Sequence, residues 1–355
     1  MPIFVTGGTG FLGINLVRLL VGNGQRVRLL VRSNPNRLGL ESDLIEFVHG
    51  DVTDPNSVLD AMRGCDEVYH LAAWVQISPW GMADARRTNV RGTSNVCSAA
   101  LKLGVRRLVH TSSIATIAAG TPERPADETT PWNLHALGIP YYVTKRESER
   151  VVLEYVRKGL DAVVVNPSYL VGPWDVKQGA GRMLIRLATG RVPAVPARGG
   201  INFVDVRKAA AGHVQAMARG RTGERYFLGG ENLSFRAFCL RAARIIGVDA
   251  PRLALPFAAM FPFALAGSIL GRLSPRRFRD LNLSVLRSAF LEHYATSRKA
   301  REELGFEVVP IDQAIKDAIE WFARHGYLPP SFRLAGRTES TATRPVSLVG
   351  HDTAS

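Results

Sequence analysis

The sequence predicts an α/β protein, a doubly wound parallel sheet with a smaller, mainly helical C-terminal lobe. Three observations carry that expectation. Apolar runs of strand length alternate with stretches of helical apolar spacing through the first half of the chain. A glycine turn, Gly7-Gly8-Thr9-Gly10-Phe11-Leu12-Gly13, joins the first strand to the first helix. Beyond Pro167 the alternation loosens, and glycine and proline punctuate the chain.

Taken in order, Pro2–Thr6 reads as a buried parallel strand and Phe11–Val21 as a helix. Arg26–Val31 is a second strand and Ile45–Val48 a short third one. Asp54-Pro55-Asn56-Ser57 marks a helix start, with acid and proline in the first turn. Asp66–Leu71 is the next strand, Met82–Leu103 a long helix and Arg106–Thr111 another strand. After a loop rich in Thr, Pro and Glu comes a helix at Tyr141–Lys158, then a buried strand at Ala162–Asn166. Helices therefore cover both faces of a parallel sheet, and a ligand belongs at the carboxyl ends of its strands.

In the second half, Phe203–Val206 and Lys208–Met217 read as a strand and helix that rejoin the sheet. The expected division is a nucleotide-binding domain over 1–170 with 201–230 returning to it, and a substrate lobe from 171–200 and 231–330. That lobe ends in a helix at Ile311–Arg324. The polar, Ser/Thr-rich tail 331–355 is expected to be unfolded. Leu253–Leu270 holds no charged residue but is interrupted by Pro256, Pro262 and Gly267. A helical hairpin or lid is expected there, with peripheral membrane contact, helped by Arg272, Arg276, Arg277 and Arg279, as the competing reading.

Composition narrows the partners. The chain has 355 residues and a net charge of +14, but its arginines are dispersed and accompany no nucleic-acid motif. Small anionic molecules or an acidic membrane face suit that charge better than DNA or RNA. Three widely spaced cysteines, Cys65, Cys97 and Cys239, fit neither a disulfide framework nor a zinc site. No histidines stand at ligand spacing, so no metal is expected. The chain starts directly on a strand with no basic leader, and a reducing, cytoplasmic setting is expected, with membrane association as the variant.

The glycine turn predicts a bound dinucleotide. Gly7 permits the tight turn, Gly10 lets the backbone approach a pyrophosphate, and Gly13 lets helix and sheet pack closely. The phosphates would lie on free N–H groups at the positive end of the helix. Farther along, Tyr141 and Lys145 stand four apart at the head of a predicted helix, so both leave one face. An ammonium beside a phenol favours the phenolate and brings its pKa towards neutrality. Ser112-Ser113 ends the strand that runs into the same crevice.

In these residues the chain resembles the extended short-chain dehydrogenase/reductases over about residues 1–330. The family pattern appears in order: Thr6–Gly13, Asp51-Val52, His70-Leu71-Ala72-Ala73, Ser113, Tyr141 with Lys145, and Pro167 with Gly172-Pro173. Asn89 fits the helix that supports the site. The resemblance implies a Rossmann-type fold and gives Tyr141 the role of proton donor to a carbonyl oxygen, or acceptor in reverse. It makes Lys145 the holder of the nicotinamide ribose and the depressor of the tyrosine pKa. Ser113, preferred over Ser112, would bond the same substrate oxygen. The cofactor would be lined by Thr6, Gly7, Gly10, Phe11, Leu12, Gly13, Arg32, Asp51, Val52, Leu71, Ala72, Ala73 and Pro167, with Tyr141 and Lys145.

Cofactor choice has its own handle. A carboxylate about 20 residues past the glycines binds a ribose 2′-hydroxyl, whereas arginine there accepts a 2′-phosphate. Arg32 stands nineteen positions after Gly13, with Arg37 close behind and no acid at that strand end. NADP(H) is therefore expected over NAD. The resemblance is greatest to the dihydroflavonol reductase and 3β-hydroxysteroid dehydrogenase branch, which implies reduction of a hydrophobic or aromatic carbonyl compound. An NAD-dependent nucleotide-sugar epimerase is the alternative, since Lys299–Leu328 resembles the C-terminus of an epimerase-like group. Ile114-Ala115-Thr116 lacks the acid pair of sugar dehydratases. A non-catalytic NADP sensor is the third reading. Trp74, Gln76 and Trp80, or Tyr169 and Trp174, would wall the substrate pocket or simply pack between lobes. A homodimer through the helices at 82–103 and 141–158 is also implied.

Overall fold

The computed structural model describes residues 1–33, 40–176, 179, 181–274, 278, 281–332 and 334. Arg37, Arg276, Arg277, Arg279 and nearly all of the tail 331–355 lie outside the described residues.

The first half follows the predicted alternation. It runs β1 (Ile3–Thr6), α1 (Phe11–Gly22), β2 (Val27–Val31), β3 (Ile45–His49), α2 (Pro55–Met62) and β4 (Glu67–His70). Next come α3 (Met82–Ala85), α4 (Gly92–Lys102), β5 (Arg107–Thr111), α5 (Pro140–Arg157) and β6 (Ala162–Pro167). The long helix expected at 82–103 is one continuous run, but its middle, Arg86–Arg91, is a π-helical turn. Asp54 caps α2 by accepting from the Asn56 amide, as the acid-proline start predicts.

The second half contains β7 (Tyr169–Val171), α6 (Arg182–Ala188), β8 (Ala194–Pro196), β9 (Gly200–Asp205), α7 (Val206–Arg219) and β10 (Arg225–Leu228). It continues with β11 (Glu231–Ser234), α8 (Phe235–Ile246), β12 (Leu253–Leu255), α9 (Phe257–Leu270), α10 (Leu283–Ala289), β13 (Glu292–His293), α11 (Arg298–Leu304) and α12 (Asp312–Arg324).

Seven strands form one parallel sheet in the order β10-β6-β5-β4-β1-β2-β3. The order reverses between β1 and β4, and such a switch opens a crevice at the strands' carboxyl ends. Strands β1 and β6 are buried along their whole length, which explains their apolar runs, whereas the edge strand β3 is largely exposed. On one face Ile14, Leu16, Val17 and Leu20 of α1 share a core with Ala209, Ala216 and Met217 of α7. On the other, Val58 and Met62 of α2, Val96 and Cys97 of α4 and Val152 of α5 pack together. The three cysteines are buried and free.

One expectation is corrected here. The strand at Phe203–Val206 does not rejoin the main sheet. Residues Gly200–Asp205 form a second sheet, antiparallel to β11 and parallel to β7 and β13, while Arg225–Leu228 supplies the edge strand beside β6. Both runs are short and apolar, so hydrophobicity alone does not decide which one pairs with β6. The stretch 231–330 is mainly helical, as expected, with the short strands β11, β12 and β13 between its helices. This lobe has its own core, in which the Phe203 and Phe238 rings stack at 4.2 Å beside Phe322 and Ile319 of α12.

Candidate active site

The cradle is built from backbone. Gly7 has φ +73°, and a Cβ there would strike the Leu71-Ala72 peptide. A Cβ on Gly13 would strike the Gly7 carbonyl, so turn and helix approach as closely as glycine allows. Gly10 is different. A Cβ on it would meet only the Gly7 oxygen, at 3.3 Å, and otherwise open space. The first bond of α1 is Ile14 N–H to Gly10 O at 2.8 Å, and no side chain caps the helix. The amides of Phe11, Leu12 and Gly13 precede that bond, with no acid in the first turn to satisfy them. An uncapped, glycine-lined N-terminus at the switch point fits a pyrophosphate. When bound, a nicotinamide dinucleotide would supply the hydride chemistry here.

Thr6 ties the cradle to the next strand. Its hydroxyl lies 2.7 Å from His70 Nδ1 and accepts from the Ala72 amide at 3.3 Å. The register makes this unavoidable, since Thr6 and His70 are direct partners on β1 and β4. The other ring nitrogen of His70 meets the Thr93 hydroxyl at 3.0 Å. Burial, seconded by the nearby Lys145 charge, lowers the His70 pKa to about 3, so the ring is neutral.

Farther along the strand ends, Arg32 directly follows β2 and Asp51 lies just beyond β3. Arg32 is 78% exposed and its guanidinium reaches Asp51 Oδ2 only at 4.0 Å. Asp51 is otherwise occupied by the Thr53 amide at 2.8 Å. Val52 is buried under Gly92, whose missing side chain makes room for it.

The π-helical turn decides the middle of the site. It presents Asn89 to the Trp74 backbone, accepting from its amide at 2.7 Å and donating to its carbonyl at 3.0 Å. Asn89 also donates to the Thr144 hydroxyl on α5 at 2.9 Å. Gly7 abuts Ala72, Trp74 is held by Asn89, and Asn89 is held by Thr144. A bonded path thus runs from the cradle to the helix turn between Tyr141 and Lys145.

There the predicted trio meets. The Tyr141 phenol lies near enough to the Ser113 hydroxyl to feel it, whereas the Ser112 hydroxyl lies 3.4 Å from that of Thr116. Lys145 is buried on the same helix face and donates to the Thr111 carbonyl at 2.7 Å. One electrostatic expectation is not met. Burial pushes the Tyr141 pKa up, with the nearby Ser113 hydroxyl opposing it, while the ammonium engages Thr111. Desolvation brings Lys145 itself down to about 8, with the Glu149 carboxylate opposing. The phenol therefore holds its proton at neutral pH, as a proton donor requires.

Beneath this trio lies a buried network that sequence reasoning missed. Glu149 accepts from Thr116 at 2.6 Å and Asn166 at 2.7 Å, and Arg225 lies 3.2 Å from its other oxygen. Asn166 also reaches the Ser113 carbonyl at 3.4 Å. Glu149 was findable, because it continues the Tyr141, Lys145 spacing by one more turn on the buried face. Arg225 gave no such signal, since it arrives on β10.

The aromatic candidates divide. Trp174 adopts φ +77°, the one described non-glycine residue with positive φ, with Arg18 of α1 4.4 Å above its ring and Trp321 of α12 at 5.6 Å. Asn15 of α1 fixes the preceding Pro173 carbonyl at 3.1 Å. Tyr169 packs edge-on to Phe203 at 5.3 Å. Both residues are packing between and within the lobes. Trp74, Gln76 and Trp80 stay half-buried on the loop held by Asn89. Pro167 ends β6 opposite Leu228. Among the described residues no group of His, Cys, Asp and Glu could hold a metal ion.

The chain is similar to known proteins over nearly its whole length. Residues 3–229 match the model of the NAD dependent epimerase/dehydratase family. The chain is 36% identical to sterol demethylase protein B of Methylococcus capsulatus, over 92% of this chain and 100% of that one. It is 32% identical to the 4-hydroxy-2-methyl-3-oxo-4-farnesyl-3,4-dihydroquinoline-1-oxide ketoreductase of Stigmatella aurantiaca, over 86% and 92%. The crystal structure of gox2253 superposes with a TM-score of 0.79 at 36% identity, covering 92% of this chain and 99% of that one.

Proposed function

The chain belongs to the NAD dependent epimerase/dehydratase family, and on that premise we propose that it reduces a carbonyl group of a hydrophobic or aromatic small molecule with NADPH. It is an extended short-chain dehydrogenase/reductase of the dihydroflavonol reductase branch, and an NAD(P)-dependent oxidoreductase. The observation that carries the proposal is the meeting of Ser113, Tyr141 and Lys145, with Lys145 bonded to the Thr111 carbonyl at 2.7 Å and the phenol kept protonated by burial.

The residues divide the work as follows. Ser113 and Tyr141 together bond the carbonyl oxygen, and Tyr141 releases its proton to that oxygen as negative charge develops on it. The phenolate so formed is stabilised by the Lys145 charge, which regains weight once a negative partner exists. Lys145 and Tyr141 would hold the nicotinamide ribose, Phe11 to Gly13 the pyrophosphate, and Arg32 the 2′-phosphate. Arg32 favours NADPH over NADH because it is exposed, charged and only loosely engaged by Asp51. Names of relatives that include a sterol and a farnesylated quinoline support a hydrophobic substrate. The helical runs at 82–102 and 140–157 are the faces through which a homodimer would form.

The test is turnover. Purified protein given NADPH and a panel of aromatic, steroid and aliphatic ketones is expected to consume the cofactor with at least one of them. Tightly retained NAD with no net NADPH consumption would instead indicate a nucleotide-sugar epimerase.

A further inference from the structure

We propose that helix α9 is a membrane-docking element that lies in the headgroup region of an anionic bilayer, beside the active site. Helix Phe257–Leu270 contains no charged residue, yet most of it faces outward. Phe263 is 67% exposed and Ile269 58%, and Phe261, Leu265 and Leu270 are exposed as well. Only Ala264 and Gly267 are buried, and Gly267 rests directly on the Leu281 backbone. A surface helix in water ordinarily carries a polar face, and this one has none. At 1.5 Å per residue its 14 residues extend about 21 Å, short of the roughly 30 Å hydrocarbon core. Among the described residues no helix is long and apolar enough to cross a membrane. Lying in the interface is the geometry left to it.

Charge selects the partner. From Arg252 to Arg287 the sequence carries six arginines, Arg252, Arg272, Arg276, Arg277, Arg279 and Arg287, against the single acid Asp280. Arg252, Arg272 and Arg287 are exposed. A second copy docked through the same surface would bring the exposed Arg252, Arg272 and Arg287 against their own counterparts, whereas an anionic leaflet complements them. The position also has a consequence. Gly271, at the end of α9, packs against the Trp80 ring, and Ser288 of α10 lies beside Tyr142, next to Tyr141. A bilayer on α9 would therefore adjoin the loop and helix that frame the site.

Vesicle binding tests this without turnover, so its failure is separate from failure of the reductase reading. The full chain is sedimented with vesicles of phosphatidylcholine mixed with phosphatidylglycerol, and with phosphatidylcholine alone. Binding to the mixed vesicles only, released by high salt, is expected. A Phe263→Glu, Ile269→Glu double variant should lose at least about tenfold in partitioning while its melting temperature holds, since both side chains are exposed. Wild-type protein that stays in the supernatant with the mixed vesicles overturns the proposal. So does a variant that binds equally well, or one in which gel filtration shows only a lost dimer.

Discussion

The Lys145 ammonium donates to the Thr111 carbonyl at 2.7 Å, which fastens the helix bearing Tyr141 to the end of the strand that delivers Ser113. Strand end and helix head, far apart in sequence, are thereby held in one register. The Tyr141 phenol and the Ser113 hydroxyl are neighbours across that joint.

Tyr141→Phe keeps the ring and removes the proton donor. Reductase kcat should fall by about 10²–10⁴, with Ser113→Ala lower by a smaller factor. NADPH binding, followed by cofactor fluorescence, should change little in either variant. Loss of binding in step with loss of kcat would mean that these side chains hold the fold rather than the chemistry.

Glu149→Gln tests the network beneath the site. The Glu149 carboxylate raises the Lys145 pKa against desolvation, so its neutralisation should let that pKa fall below about 8. The alkaline limb of the kcat/KM profile for reduction should then move to lower pH by up to about one unit. A uniform loss at every pH, with the limb unmoved, would assign Glu149 a structural role only.

Arg32→Asp should reverse cofactor preference. Charge-assisted bonds of about 1.5–3 kcal/mol correspond to roughly 10–100-fold in the NADPH/NADH ratio of kcat/KM. The new carboxylate would sit near Asp51 and repel a 2′-phosphate. An unchanged ratio removes Arg32 from the cofactor site.

Acid stability should reflect the buried imidazoles. Burial lowers the pKa of His70 to about 3 and of His213 and His293 to about 4, and holds His110 well below its ordinary value. In the unfolded chain each titrates near about 6.5, so the unfolded state binds more protons below that pH. Stability is therefore full above about pH 6.5 and declines on acidification, by up to about 1.4 kcal/mol per pH unit for each ring. Calorimetric Tm should drop between about pH 7 and 5. His293→Gln, at a ring whose Nδ1 has no partner, should flatten that slope.

Much of the site was legible before folding. Gly7, Gly10 and Gly13 announce a cradle because their spacing follows from the turn a strand makes into a helix, a local matter. Tyr141 and Lys145 share a face because helical geometry puts residues four apart together. The same rule reaches Glu149, which was overlooked because a carboxylate normally marks the solvated face of a helix. Asn89 was placed on the supporting helix, but its grip on Trp74 depends on a π-helical turn that residue spacing does not announce.

The amino-acid order by itself determined the parallel architecture, the glycine turn and the shared helix of Tyr141 and Lys145, since each rests on local periodicity or on a short turn. Tertiary structure alone decided three further matters. It put Arg225–Leu228 rather than Gly200–Asp205 at the sheet edge, because pairing of short apolar strands is settled by packing partners distant in the chain. It turned Lys145 towards Thr111 and left Tyr141 protonated, because desolvation depends on every neighbour brought in by folding. It also left α9 outside the core, because burial is a property of the assembled surface and not of an apolar run.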